Sequence, residues 1–193
     1  MRRLLLALPF ALLPLSMAHA ADDHVQEHGS LGAHEHGVGR LDIALDGKAL
    51  EFELDSPAMN IVGFEHEATT DEDKAKLMAA REVLLKSQAL FNLPEVARCA
   101  VASQRLESPL FGDKADADHD DDENAKGAEH HHEHSEIHAH YQFICDNASA
   151  LNTFDLTQIF KSFPATQKIQ VQLVSPRGQF GTEATPAKPK VKF

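Results

Sequence analysis

The chain of 193 residues carries 30 acidic side chains against 18 basic ones, which gives a formal net charge of −12. A surface this acidic repels phosphate backbones and attracts cations, so it argues against nucleic acid as a partner. The chain has no tryptophan and one tyrosine, too few aromatic side chains for a platform that stacks sugars or bases. Its length is typical of a single domain with its own hydrophobic core.

Residues 1–20 have the pattern of a secretory signal peptide. Two arginines precede an apolar run over residues 4–17, and Ala18-His19-Ala20 supplies a cleavage site of small residues. The run is shorter than the ~20 residues that a membrane-spanning helix needs. No second apolar run of spanning length follows. We therefore expect cleavage after Ala20 and an exported protein that is not inserted into a membrane.

A β-hairpin is the clearest structural prediction, and it follows a polar, histidine-containing lead-in over residues 21–37. Within residues 40–56, apolar and polar residues alternate on both sides of Asp46-Gly47. Alternation around Asp-Gly predicts two antiparallel strands joined by a type I′ turn. One face of this hairpin is apolar and must be covered.

A long amphipathic helix is predicted over residues 71–91, where the apolar period changes to that of a helix. Either Thr69 with Glu72 or Thr70 with Asp73 can cap its start, and Pro94 marks the region where it has ended. We expect this helix to cover the apolar face of the hairpin.

Strands dominate the rest of the chain. Alternating apolar residues predict strands over residues 98–107, 137–145, 167–175 and 180–185, and a short helix is predicted over residues 155–163. The basic, proline-spaced tail over residues 186–193 is expected to be flexible. The predicted fold class is α+β: a single domain over residues 38–185, with a mainly antiparallel sheet and one long amphipathic helix.

A low-complexity insertion at residues 113–135 interrupts this domain. It is rich in histidine and carboxylates and nearly empty of large apolar side chains, so we expect it to be disordered. Imidazole suits zinc, copper, nickel and cobalt, and histidine tracts of this density commonly mark metal binding. Five histidines of the insertion are therefore candidate ligands for several weak sites: His119, His130, His131, His132 and His134.

The two cysteines, Cys99 and Cys145, bracket the insertion. In an oxidising compartment an isolated pair is more often bridged than free, so we predict a disulfide. Such a bridge is expected to pin the base of the insertion. Two small core residues that never meet are the alternative.

Three groups of histidines outside the insertion are candidate ligands for a better ordered site. They are His34 with His36 before the first strand, His138 with His140 on the polar face of a strand, and His66. In an extended backbone, residues two apart point the same way, so each pair can reach one ion. Three or four imidazoles, with water or glutamate filling any gap, make a tetrahedral zinc site. A solvated histidine is the alternative for each group.

Motifs of common enzymes are absent from the sequence, among them His-Glu-x-x-His, Gly-x-Ser-x-Gly, the phosphate loop and Cys-x-x-Cys. The spacing patterns therefore give no support to a catalytic function. We expect a binding protein and not an enzyme.

Four short segments stand in the chain in this order, together with the hairpin: HEHGV from His34, NIVGFEH from Asn60, HAHYQFIC from His138 and SPRGQ from Ser175. In this combination they resemble the ZrgA-like periplasmic proteins, a zinc-regulated, zinc-binding family of Gram-negative bacteria. The resemblance implies a periplasmic protein that binds Zn²⁺ and assists zinc acquisition. It further implies delivery of the ion to an importer or its binding protein. It assigns no individual ligands within the insertion.

Two other functions remain open at this point. A metal buffer or resistance protein would sequester excess zinc, copper or nickel with the same ligands. A non-metal interaction module would use the acidic insertion to bind a basic partner, and its histidines would be incidental. Residue types alone do not separate zinc from copper or nickel, and they do not indicate an oligomeric state.

Overall fold

Eight β-strands organise the residues that the structure, a computed structural model, describes: residues 34–112 and 135–193. The strands are β1 (Val38–Asp46), β2 (Ala49–Pro57), β3 (Cys99–Glu107), β4 (Glu136–Cys145), β5 (Thr153–Asp155), β6 (Lys168–Ser175), β7 (Gly178–Ala184) and β8 (Lys190–Lys192). The predicted signal peptide, most of the predicted lead-in and residues 113–134 of the predicted insertion lie outside the described residues.

Six of these strands form one sheet in the order β3-β4-β2-β1-β6-β7, and β5 pairs with β8 in a second sheet. Neighbours in the large sheet are antiparallel except β1 and β6, which run parallel. The prediction of a mainly antiparallel sheet in a single domain is therefore confirmed. A parallel pair needs a long crossover, and here the chain passes through β2 to β5 before it returns beside β1.

The β1–β2 hairpin has the predicted alternation, and the apolar side chains of both strands are buried on one face. Its turn consists of Gly47 and Lys48, since Asp46 pairs directly with Ala49. Of the two turn residues, only Gly47 takes a positive φ, +57°. A type I′ turn requires a positive φ at both positions, so the predicted turn type is wrong, and glycine at the first position fits a type II′ turn.

Short helices connect the strands in the described residues. They are α1 (Ala58–Ile61), α2 (Asp71–Leu84), α3 (Ser87–Leu90) and α4 (Thr157–Ser162), with 3-10 turns at Glu95–Ala97, Pro109–Phe111 and Ala148–Ala150. Among the described residues, no helix combines the length and the apolar character needed to cross a lipid bilayer.

The predicted helix over residues 71–91 is divided into α2 and α3. Thr70, one of the two predicted caps, begins α2: its side-chain oxygen accepts a hydrogen bond from the backbone N–H of Asp73. Within α2 only Ala80 and Leu84 are buried. The helical prediction is thus confirmed only in part: α2 is a largely exposed helix and does not by itself cover the hairpin.

Aromatic rings from neighbouring elements pack around Phe52 on the apolar face of the hairpin. The ring of Phe91, directly after α3, stacks on Phe52 of β2 with centroids 4.0 Å apart. Phe154 of β5 and Phe143 of β4 meet the Phe52 ring edge-on, with centroids at 5.3 and 5.9 Å. Aromatic pairs of this kind contribute about 0.5–1.5 kcal/mol each beyond their burial. The core is centred on Phe52, and the opposite face of the sheet is mostly half-buried or exposed.

The C-terminal residues, which the sequence predicted to be flexible over residues 186–193, form a short strand and an aromatic contact. In β8, which pairs with β5, Val191 is 3% exposed. The ring of Phe193 stacks on Phe154 with centroids 5.0 Å apart, and Arg177 Nη1 donates a hydrogen bond to the Phe193 carbonyl oxygen at 3.0 Å. The strand was not predicted because only two apolar residues, Val191 and Phe193, alternate with lysines there, which is too short a pattern.

Cys99 and Cys145 form the predicted disulfide. They face each other at one end of the β3–β4 ladder, whereas residues 113–134 connect the opposite end, after Glu107 and before Glu136. At about 3.3 Å per residue, the two ends are roughly 25 Å apart. The prediction that the bridge pins the base of the insertion is therefore wrong, because β3 and β4 are antiparallel neighbours.

Candidate metal centre

The chain turns sharply just before β1. The backbone N–H of Val38 donates to the carbonyl oxygen of Glu35 at 3.0 Å, which closes a turn around His36 and Gly37. Gly37 has a φ of +87°, which favours glycine, and an added Cβ would lie 3.2 Å from the Gln167 side chain. His36 lies in this turn and His34 directly precedes it.

A buried asparagine holds this turn. The Oδ1 of Asn60 accepts a hydrogen bond from the Gly37 N–H at 2.6 Å, and its Nδ2 donates to the Val38 carbonyl at 3.0 Å and to Ser56 Oγ at 3.2 Å. Asn60 is 2% exposed, so these bonds satisfy polar atoms that would otherwise be costly to bury. They fix the backbone directly after His36.

Glu65 reaches the same place from the loop between α1 and α2. Its carbonyl oxygen accepts a hydrogen bond from Ser135 Oγ at 3.2 Å, and the Ser135 carbonyl accepts one from the Ala58 N–H at 2.8 Å. Ser135 is buried and is the first described residue after residues 113–134. The histidine-rich segment therefore rejoins the described chain at the loop that carries Glu65.

Two imidazoles and one carboxylate converge here. The Nε2 atoms of His34 and His36 lie 3.4 and 3.0 Å from Glu65 Oε1, respectively. The ligand atoms of the three residues all lie within 4.8 Å of one another, and no other such group of three or more occurs in residues 34–112 and 135–193. In a tetrahedral zinc site with bonds of about 2.0 Å, neighbouring ligand atoms are about 3.3 Å apart. The observed separations from Glu65 are close to this value.

His34 lies between two carboxylates. Its Nδ1 is 3.0 Å from Glu136 Oε1, and its Nε2 is 3.4 Å from Glu65 Oε1. A neutral imidazole has one N–H and one lone pair, so one nitrogen presents a lone pair to a negatively charged oxygen. A metal ion bound at that nitrogen removes the repulsion. The His34 and Glu65 side chains are only 12% and 14% exposed, so solvent screens this effect weakly.

The cluster continues onto the sheet through Glu136, the first residue of β4. Its Oε2 lies 3.6 Å from His138 Nε2, and His138 Nδ1 lies 2.7 Å from Asp55 Oδ1. The hydrogen bond with Asp55 raises the pKa of His138; partial burial opposes the rise, and the charges of Asp55, Glu136 and Glu107 add to it. His138 is thus held by carboxylates beside the cluster.

Two further predicted ligands lie apart from this cluster. His66 is exposed, and its ring stacks on the buried Phe64 with centroids 4.9 Å apart. Neighbouring side chains of this loop diverge, so Glu65 faces the cluster and His66 faces solvent. His140 shares the polar face of β4 with His138, as predicted, but the two histidines belong to no converging group of three metal ligands within the described residues.

Five predicted ligands cannot be placed relative to the cluster because they lie outside the described residues: His119, His130, His131, His132 and His134. They stay predictions from the sequence. They are joined to the described chain at Ser135, and Ser135 is hydrogen-bonded to the carbonyl oxygen of Glu65.

Three residues of the candidate centre were not predicted from the sequence: Glu65, Glu136 and Asn60. Glu65 had a usable signal, because it stands beside His66 and either residue could face inward. Glu136 and Asn60 had none, since their roles depend on contacts with His34 and Gly37, which are 102 and 23 residues away in sequence.

The domain is α+β with a mainly antiparallel sheet, and two imidazoles and one carboxylate meet in one cluster. Such a cluster has the ligands of a metal-binding protein for divalent transition metals. Residues 33–193 match the family described as ZrgA family zinc uptake protein, so the chain belongs to this family. The comparison with curated proteins gave no significant match.

Proposed function

We propose that this protein binds Zn²⁺ in the periplasm and assists zinc uptake by passing the ion to an importer or its binding protein. The observation that carries the proposal is the cluster of His34, His36 and Glu65, in which both ring nitrogens of His34 face carboxylate oxygens. Membership of a zinc uptake family supports the choice of ion.

The donor set suits zinc better than magnesium or calcium. Imidazole nitrogen is a common zinc ligand, whereas Mg²⁺ and Ca²⁺ prefer oxygen ligands throughout. Three protein ligands leave a fourth tetrahedral position for water or for a ligand from a partner. Such an open position suits a protein that must release its ion again, and we assign no enzymatic reaction to it.

The histidine-rich segment supplies the second part of the proposal. Histidines and carboxylates are interspersed along residues 113–134, and the segment rejoins the described chain at Ser135, which is hydrogen-bonded to Glu65. We infer that these imidazoles collect zinc at several weak positions and raise its concentration beside the ordered cluster.

The periplasmic location rests on the signal-peptide pattern of residues 1–20 and on family membership. The disulfide between Cys99 and Cys145 agrees with it, because such bridges persist in oxidising compartments.

Zinc titration of the chelator-treated protein tests the cluster. The double variant His34→Gln with His36→Gln is expected to lose the tightest zinc site in competition with a chromophoric chelator, while weaker binding remains. His66→Gln is the matched control, because it removes an exposed imidazole beside Glu65 without touching the cluster. If the double variant keeps the tightest site, the ordered centre is not where we place it.

Growth in zinc-poor medium separates acquisition from buffering. A strain that lacks this protein is expected to grow poorly when a chelator limits zinc and to recover when zinc is added. Sensitivity to excess zinc, with normal growth under limitation, would instead indicate a buffer or resistance protein.

A further inference from the structure

We propose that Glu136 is a positioning residue of the metal centre, which orients His34 so that Nε2, and not Nδ1, binds the ion. The inference rests on the proposed zinc-binding function of the cluster. It assigns a role to a carboxylate that is not itself one of the three clustered ligands.

The two carboxylates beside His34 are not equivalent. Glu136 Oε1 lies 3.0 Å from Nδ1, within hydrogen-bond distance, whereas Glu65 Oε1 lies 3.4 Å from Nε2. The same Glu65 oxygen is already 3.0 Å from His36 Nε2. An ionised carboxylate only accepts hydrogen bonds, so the shorter contact places the His34 proton on Nδ1. The lone pair of Nε2 is then directed toward Glu65.

This arrangement is the one that metal binding needs. A metal ion takes the lone pair of a neutral imidazole, and the ion would lie between His34 Nε2 and the Glu65 carboxylate. An N–H directed at a carboxylate on the far side of the ring fixes the tautomer, orients the ring and makes the metal-bound nitrogen more basic. Glu136 supplies that acceptor.

Glu136 is itself well held. It stands opposite Pro57 in the β2–β4 register, so its backbone belongs to a strand in the interior of the sheet. Its second oxygen, Oε2, lies 3.6 Å from His138 Nε2, and His138 is hydrogen-bonded to Asp55. Side chains on strands define a geometry more precisely than side chains on loops. The carboxylate thus spans two imidazoles, one of the cluster and one of the sheet.

The test compares Glu136→Ala with Glu53→Ala in the full chain. Glu53 is an exposed carboxylate on the same polar face, opposite His140, and its removal gives the same change in net charge. Glu136→Ala is expected to weaken the tightest zinc site by about 10- to 100-fold, and Glu53→Ala to leave it within about twofold. Glu136→Gln, which keeps an acceptor oxygen without the charge, is expected to lie between them.

A second readout reports the tautomer directly. Long-range ¹⁵N–¹H spectra of the metal-free protein, with the His34 signals assigned through His34→Gln, are expected to show the proton on Nδ1. Glu136→Ala is expected to shift the population toward the Nε2–H form. A merely structural role for Glu136 would lower the melting temperature without this change, which thermal unfolding of the metal-free variants would show.

Failure of this inference is distinguishable from failure of the proposed function. Unchanged zinc affinity and an unchanged tautomer in Glu136→Ala would overturn the positioning role, while the loss of the site in the His34 and His36 double variant would still support the centre. If that double variant binds zinc as the wild type does, the centre itself is wrong.

Discussion

His138 Nδ1 and Asp55 Oδ1 lie 2.7 Å apart across β4 and β2, where the two residues are directly paired. This hydrogen bond raises the pKa of His138 above its ordinary value of 6.5. A raised pKa in the folded state means that the pair stabilises the fold fully below pH 6.5. The contribution is lost as the pH rises through the raised pKa.

Replacement of His138 with glutamine is therefore expected to destabilise the metal-free protein at pH 6 and to have little effect at pH 9. Because the side chain is 48% exposed, solvent screening keeps the loss at pH 6 below about 1 kcal/mol. Urea unfolding in the presence of a chelator at several pH values measures it. His140→Gln, on the same face of β4, is the control, and a difference from wild type that does not vary with pH contradicts the assignment.

Asn60→Ala is expected to lower the free energy of unfolding by about 2–3 kcal/mol, because it leaves the buried partners of three hydrogen bonds unsatisfied. It also frees the backbone after His36, so the tightest zinc site is expected to weaken. Chemical denaturation and zinc competition measure the two effects. Asn152→Ala, an exposed asparagine, is expected to change neither.

Gly37→Ala is expected to weaken zinc binding more than its effect on stability would suggest. The positive φ of Gly37 is unfavourable for alanine, and the added Cβ would lie 3.2 Å from Gln167. Gly47→Ala is the matched variant: Gly47 also has a positive φ, but no atom lies within 4 Å of an added Cβ. Both variants are expected to lose about 1 kcal/mol or more of stability, and only Gly37→Ala to lose zinc affinity. Equal affinities in the two variants would show that the turn does not control the site.

Removal of the disulfide by Cys99→Ser with Cys145→Ser is expected to cost about 2–4 kcal/mol of stability and to leave zinc affinity unchanged. The cost arises because the bridge closes a loop with a sequence separation of 46 residues. Zinc affinity is spared because the centre lies at the other end of β4, around Glu136. Guanidinium unfolding and zinc competition test the two parts, and a parallel loss of affinity would disprove this separation.

The strands could be predicted where the alternation of apolar residues is local. The pattern over residues 137–145 gave both β4 and its buried face, which includes Ile137 and Tyr141. The parallel pairing of β1 with β6 could not be predicted, because it depends on the path of the chain between the two strands. The end of α2 near Leu85 could not be predicted either, because apolar residues at helical spacing continue through residues 84–91.

The candidate centre could be predicted only as far as neighbours in sequence allow. His34 and His36 stand two residues apart, so their proximity was visible. Glu65 comes from 29 residues beyond His36, and Glu136 from 102 residues beyond His34. Carboxylates are common in so acidic a chain, and only the fold selects these two.

The β3–β4 ladder has a covalent link at one end and the connection through residues 113–134 at the other. With the register of the two strands secured at the linked end, the connection can differ greatly in length, since each doubling of the length of a loop adds only about 0.6 kcal/mol of closure cost. Insertions and deletions can therefore change the number of histidines without reshaping the strands. Under the proposed function, the number of metal-collecting histidines and the tightness of the ordered centre are thus free to evolve separately.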